Sequence, residues 1–163
     1  MARQVFFTFH YQRDIFRVNV VRNSQEFTRS QYTPTFYDHS LWEKTKLQGD
    51  EAVKRLINSG LRGSSVTVVL VGAGTAGRKW VNYEIEQSHN LRMGLLAVRV
   101  HGISCPNQGT DVKGDNPFDD WHVERSNGKV LFSQLYPIYD WVLGDGTKNL
   151  PTWIEAAAQK AGR

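Results

Sequence analysis

The sequence predicts an α/β chain, with a central, mostly parallel sheet of about five strands held between two layers of helices. Three observations lead there. Apolar runs at Gln4 to Phe9, Val66 to Val71 and Gly94 to Val100 are too continuous for a sheet with one wet face. Stretches of helical periodicity lie between them, so strand and helix alternate. The 163 residues, 40% hydrophobic and 22% charged, suit one domain spanning residues 1–163 with ample core.

The elements follow in order. Gln4 to Phe9 reads as a strand buried on both faces. From Asp14 to Asn23, Ile15, Val18 and Val21 recur at helical spacing, with Asp14 placed as N-cap. Pro34 to Tyr37 reads as a weak second strand ending at Asp38. Trp42 to Leu61 carries Leu47, Ala52, Val53, Leu56, Ile57 and Leu61 and reads as one amphipathic helix. Val66 to Val71 is the clearest strand, closed by Gly72. A helix from about Arg78 to His89 and a strand from Gly94 to Val100 come next. His101 to Lys129 is loop-rich, and Val130 to Phe132 reads as a short last strand. Pro151 opens a terminal helix closed by Gly162. The order is that of a flavodoxin-like three-layer sandwich. Ligands of such sheets bind beyond the carboxyl ends of the strands. The residues just after Phe9, Asp38, Val71 and Val100 therefore stand where a ligand would sit.

Composition excludes several classes. Twenty Lys and Arg against sixteen Asp and Glu leave +4, favourable to phosphate-bearing ligands but too scattered for a nucleic-acid binder. One cysteine, Cys105, permits neither an intrachain disulfide nor a cysteine-based zinc site. The apolar run after Arg3 is too short for a signal-peptide core. The longest uncharged run, Gly63 to Gly77, falls short of the ~18 apolar residues that span a membrane. The expectation is a soluble, cytoplasmic protein. The five histidines show no metal-ligand spacing, so no metal is expected.

Two motifs carry chemistry. Gly72-Ala73-Gly74-Thr75-Ala76-Gly77 has dinucleotide-fingerprint spacing, but Arg92 to Gly102 lacks the acidic ribose-binding residue. A glycine-rich turn is the better reading. On the following helix, with Trp80 at zero, Glu84 falls near about 40°, Ser88 near about 80°, Val81 near about 100° and Ile85 near about 140°. Leu91, near about 20°, joins that apolar arc, while Glu86, near about 240°, faces solvent. Glu84 thus lies among apolar positions. A carboxylate there is either paired to an arginine or put to use. Phe9-His10-Tyr11 ends the first strand at the same edge and offers a surface for a flat ring.

These residues resemble a known family. Val5-Phe6-Phe7-Thr8-Phe9-His10-Tyr11 resembles the first strand of TIR domains. Lys79-Trp80-Val81-Asn82-Tyr83-Glu84-Ile85 resembles their Trp-x-x-x-Glu helix. The segments Arg17 to Asn23, Leu41-Trp42-Glu43 and Ala156 to Arg163 extend the likeness over nearly the whole chain. They bring it closest to the bacterial TIR-like group that includes the signal-making subunit of Thoeris anti-phage defence.

The resemblance implies an enzyme that cleaves the nicotinamide–ribose bond of NAD. The ADP-ribose part would become a cyclic isomer or conjugate that activates a separate effector protein. NAD is then a substrate, and no bound cofactor is implied. Glu84 would be the catalytic carboxylate, with Trp80, Phe9, His10 and Asp38 as substrate contacts, and the domain would be able to self-associate. Two other readings remain: a non-catalytic TIR-like self-association module, in which Glu84 is only salt-bridged, and a nucleotide-binding protein without catalysis.

Overall fold

The computed structural model describes residues 3–35 and 37–163. β1 (Gln4–Thr8) leads into α1 (Tyr11–Arg22) and a short α2 (Gln25–Arg29). β2 (Thr33–Thr35) precedes α3 (His39–Leu47) and α4 (Asp50–Arg62). β3 (Val66–Val71), α5 (Lys79–Asn90) and β4 (Gly94–Arg99) follow. The chain then makes β5 (His122–Arg125), β6 (Gly128–Leu131), α6 (Phe132–Leu135), β7 (Ile138–Asp140) and α7 (Gly146–Lys160).

Five strands form one parallel sheet in the order β2-β1-β3-β4-β7. Every residue of β3, at its centre, is buried. Alternation of side chains divides the core between the two faces. Val5, Phe7, Val68, Leu70, Leu96 and Val98 pack with Val18 and Val21 of α1 and Leu150 and Ile154 of α7. On the other face Val69, Val71, Leu95 and Ala97 meet Val81 and Ile85 of α5, while Phe6 meets Val53, Ile57 and Leu61 of α4. This is the three-layer, flavodoxin-like and TIR-like sandwich that the alternation of apolar runs predicts.

Several boundaries differ, each for a local reason. The first helix begins at Tyr11, with His10 as N-cap, because the Asp14 amide donates to the His10 carbonyl at 3.0 Å. Asp14 is no cap; it is fully buried and paired with Arg17 at 3.3 Å. The expected single helix over Trp42 to Leu61 is two, α3 and α4. They part at Gly49, whose φ of 100° lies where glycine alone is unstrained. The second strand begins at Thr33, and Phe36 of the expected strand lies outside the described residues.

The fifth strand of the sheet is Ile138–Asp140, not Val130 to Phe132. Val130 pairs instead with Val123 in the antiparallel hairpin β5–β6. The terminal helix starts at Gly146, so Pro151 lies inside it. Leu91, expected on the buried arc of α5, is the C-cap and 41% exposed. Helical phase ends with the helix. Among the described residues, no helix is long and apolar enough to cross a membrane.

Candidate active site

A cleft of about 350 Å³ opens beyond the carboxyl end of β1. One wall is the segment from Tyr37 into α3, the other the first turns of α5, and Phe7 to Gln12 form the floor. A sandwich of parallel strands leaves such a crevice wherever neighbouring strands send their chains to opposite sides.

Glu84 is the buried carboxyl of this cleft. It sits on the second turn of α5, facing the sheet beside Val81 and Ile85, and is 7% exposed. Among the described residues, no lysine, arginine or histidine forms an ion pair with it. Burial pushes its carboxyl up to about 8. Thr8, at the end of β1, pulls it partly back, although the Thr8 Oγ1 completes no hydrogen bond of good geometry. The ion-paired alternative for Glu84 is therefore not the arrangement found. A buried carboxyl without a cation fits one kept for a cationic ligand.

Trp80 stands one turn before Glu84 and belongs to an aromatic wall. It meets Trp42 edge-on at 6.4 Å and Tyr83 at 5.8 Å, and Trp42 stacks on Tyr37 at 6.3 Å. Tyr37 is held by donating its hydroxyl proton to the Leu56 carbonyl at 2.6 Å. Burial and the neighbouring Glu84 push that phenol up to about 12, so it stays neutral. Lys79 lies 4.8 Å above the Trp80 ring and pairs with Asp50 of α4.

Phe9, His10 and Tyr11 form the β1 edge. Burial, then the positive charges of Arg78 and Arg13, lower the His10 pKa and keep the imidazole neutral at pH 7. Its Nδ1 is buried without a partner on the side of Gly74. The Tyr11 ring stacks on His39 at 4.9 Å. The structure thus brings Glu84, Trp80, Phe9 and His10 to one cleft. Asp38 is not among its lining residues; its carboxylate caps α3, accepting from the Leu41 amide at 2.8 Å.

The sequence left unassigned Tyr37, His39, Lys46 and Arg78, which also line the cleft. Arg78 was within reach, as the residue opening a helix at the ligand-binding edge. For the α3 residues there was no local signal, because the break at Gly49 is what turns α3 into a wall.

The glycine-rich turn serves the fold. A Cβ at Gly72 would lie 2.1 Å from the Asp14 Oδ2, and the Gly72 amide donates to the Thr75 hydroxyl at 2.8 Å. The space a dinucleotide phosphate would need at that glycine is filled by the protein's own carboxylate. Among the described residues, no three His, Cys, Asp or Glu side chains converge as a metal site requires.

Comparison with known proteins agrees with this architecture. Residues 6–104 match the family model described as Thoeris protein ThsB, TIR-like domain. A Bacillus cereus (strain MSX-D12) protein named "Putative cyclic ADP-D-ribose synthase ThsB1" is 35% identical over 191 aligned positions, covering 94% of this chain and 100% of the relative. The family match takes in the end of β1, the cleft walls and Glu84, and the chain belongs to the TIR-like family of the Thoeris protein ThsB.

Proposed function

We propose that this protein cleaves the nicotinamide–ribose bond of NAD and converts the ADP-ribose part into a signalling nucleotide for anti-phage defence, a cyclic ADP-ribose isomer or a conjugate. One observation carries the reading: Glu84 is buried, has no cationic partner among the described residues, and opens into an aromatic-walled cleft. The name of the Bacillus cereus relative supports the class of product.

The chemistry follows from charge. NAD brings a cationic pyridinium, the charge that no described residue beside Glu84 supplies. Its approach favours the ionised form of Glu84, so binding releases the proton that burial retains. When the C1′–N bond breaks, its electron pair leaves on the nicotinamide nitrogen, which becomes neutral, and positive charge passes to the ribose. A carboxylate beside that ribose stabilises the charge as it forms. Trp80 and its aromatic neighbours shield the reacting bond from water. An incoming oxygen or nitrogen nucleophile then bonds to C1′ and gives up its proton, which the neutral His10 on the β1 edge can accept.

Low turnover in the resting protein is expected, since Glu84 keeps its proton near neutral pH until a cation reaches it. The product would act on a separate effector, and self-association of the domain would accompany activation. The test is chromatographic. Purified protein is incubated with NAD, with and without lysate of phage-infected cells, and wild type is compared with Glu84→Gln. Nicotinamide release that disappears in the variant supports the reading, and the mass of the second product names the nucleophile. If no condition releases nicotinamide, the non-catalytic module takes its place.

A further inference from the structure

A second cavity, of about 750 Å³, lies at the opposite end of the sheet from the Glu84 cleft, where β4 begins. The last turns of α5 and α7 and the short α6 surround it. The sheet itself leaves the space. β7 pairs with Ala97, Val98 and Arg99 of β4 alone, and the ladder stops at Pro137, which has no amide to donate. Gly94 and Leu95 therefore keep an edge open to the cavity. On its α7 side the lining is small and apolar, from Ala156, Ala157 and Ala161.

The charge in this cavity has one sign. Arg92, Arg125 and Lys160 line it, and no Asp or Glu does so among the described residues. Lys160 donates to the Leu135 carbonyl. Arg92 and Arg125 form no ion pair among the described residues. Cations commonly gather at helix ends to meet the last carbonyls, but that does not account for these two. Arg125 closes the strand β5, and at the end of α5 it is Arg163 that donates to the Leu91 carbonyl, at 2.9 Å. Arg92 also stands at φ 55°, a left-handed position where glycine would be unstrained. Its guanidinium is thus kept at a backbone cost, beside a second unpaired arginine in a concave surface that focuses their field.

We propose that this cavity is a second ligand site, separate from the Glu84 cleft, and that it takes an organic phosphate of nucleotide size. The phosphates meet Arg92, Arg125 and Lys160, each arginine fork able to hold two oxygens at once. The organic part lies against Met93, Leu95 and the alanines of α7, with Tyr139 held firm by its stack on Trp153 at 4.3 Å. His89 and Tyr136, hydrogen-bonded to each other, supply polar contacts on the α5 side. The volume falls within the ~300–1,000 Å³ of small-molecule pockets and far exceeds what inorganic phosphate fills. The site does not depend on the reaction proposed for Glu84.

The experiment is calorimetric, with ATP and inorganic triphosphate as probes. Each is titrated into the wild type, an Arg92→Gly/Arg125→Ala double variant, and Trp80→Ala as the control for the cleft. Glycine at position 92 removes the guanidinium and relieves the left-handed backbone, so the double variant is expected to fold, which its thermal melt checks. ATP should bind the wild type and Trp80→Ala alike, about 10- to 100-fold more weakly in the double variant, and more weakly as salt rises. Triphosphate should bind less tightly than ATP, because it leaves the apolar lining uncovered. No ATP binding by the wild type, or equal affinity in the folded double variant, overturns the site. Binding lost in Trp80→Ala instead places ATP in the cleft and overturns it too. Equal affinity for triphosphate and ATP rejects the organic ligand.

Discussion

The carboxylate of Asp14 packs against the backbone of Gly72 so tightly that a single added methyl would lie 2.1 Å from Oδ2. Asp14 has nowhere to go. It is fully buried and held by Arg17, whose guanidinium also donates to the Ile103 carbonyl at 2.9 Å and the Gly109 carbonyl at 3.2 Å. The first glycine of the turn therefore locks β3 to α1, and α1 to the loop after β4.

Gly72→Ala should accordingly destabilise the fold by about 2–3 kcal/mol through overpacking against an immobile neighbour. Urea denaturation reads the change directly. A shift below about 0.5 kcal/mol, inside the usual range for surface substitutions, would show that the turn has room to relax.

Glu84 makes the opposite prediction. Its folded-state pKa, about 8, lies above the ordinary 4.5. Between those values the unfolded chain has given up the proton and the folded chain retains it. Stability is therefore lost as pH rises through that window. Glu84→Gln removes the ionisation and should raise stability by about 4–5 kcal/mol near pH 9, with little effect near pH 4.5. Thermal melts of both proteins across that range suffice. A difference that stays flat with pH would contradict the burial of an unpaired carboxyl.

The same group shapes the rate profile. For NAD, kcat/KM reports ionisation in the free enzyme and should rise with pH through about 8, where Glu84 titrates. In the complex the pyridinium charge favours the carboxylate, so the corresponding limb of kcat should move to lower pH. Coincident limbs in the two profiles would mean that substrate does not meet Glu84 as a cation.

Asp38 separates a helix cap from a substrate contact. Asp38→Ala should cost about 1 kcal/mol of stability by removing the acceptor for the Leu41 amide. Asp38→Ser, which caps nearly as well, should restore both stability and the kinetics for NAD. Loss of activity in the serine variant at full stability would instead make the carboxylate a ligand contact.

How far the residues announced all this depends on the range of the forces involved. The strands were legible because burial on both faces writes an unbroken apolar run, as in Val66–Val71. Glu84 was legible because a charge inside an apolar arc breaks the helical pattern at one position. Boundaries set by single backbone contacts were harder. Asp14 has the composition of a cap, and only the packing of Gly72 against it reveals a buried ion pair. The edge strand Ile138–Asp140 is three residues long and borrows its identity from β4, so no local periodicity marks it. Most of the cleft wall is written at long range, in the turn at Gly49 that folds α3 back over α4.

That turn has a consequence for variation. Among the residues of α3 only Thr45 is buried, while Trp42, Glu43 and Lys46 all line the cleft. Exchanges along this short helix can therefore redraw the pocket's outline with little disturbance to the sheet beneath. Glu84 has no such freedom, since it hangs from a helix whose neighbouring side chains are core. The molecule thus joins a replaceable rim to an unchangeable centre. Substitutions confined to the nine residues of α3 can thus alter what the cleft mouth admits while the core stays as it is.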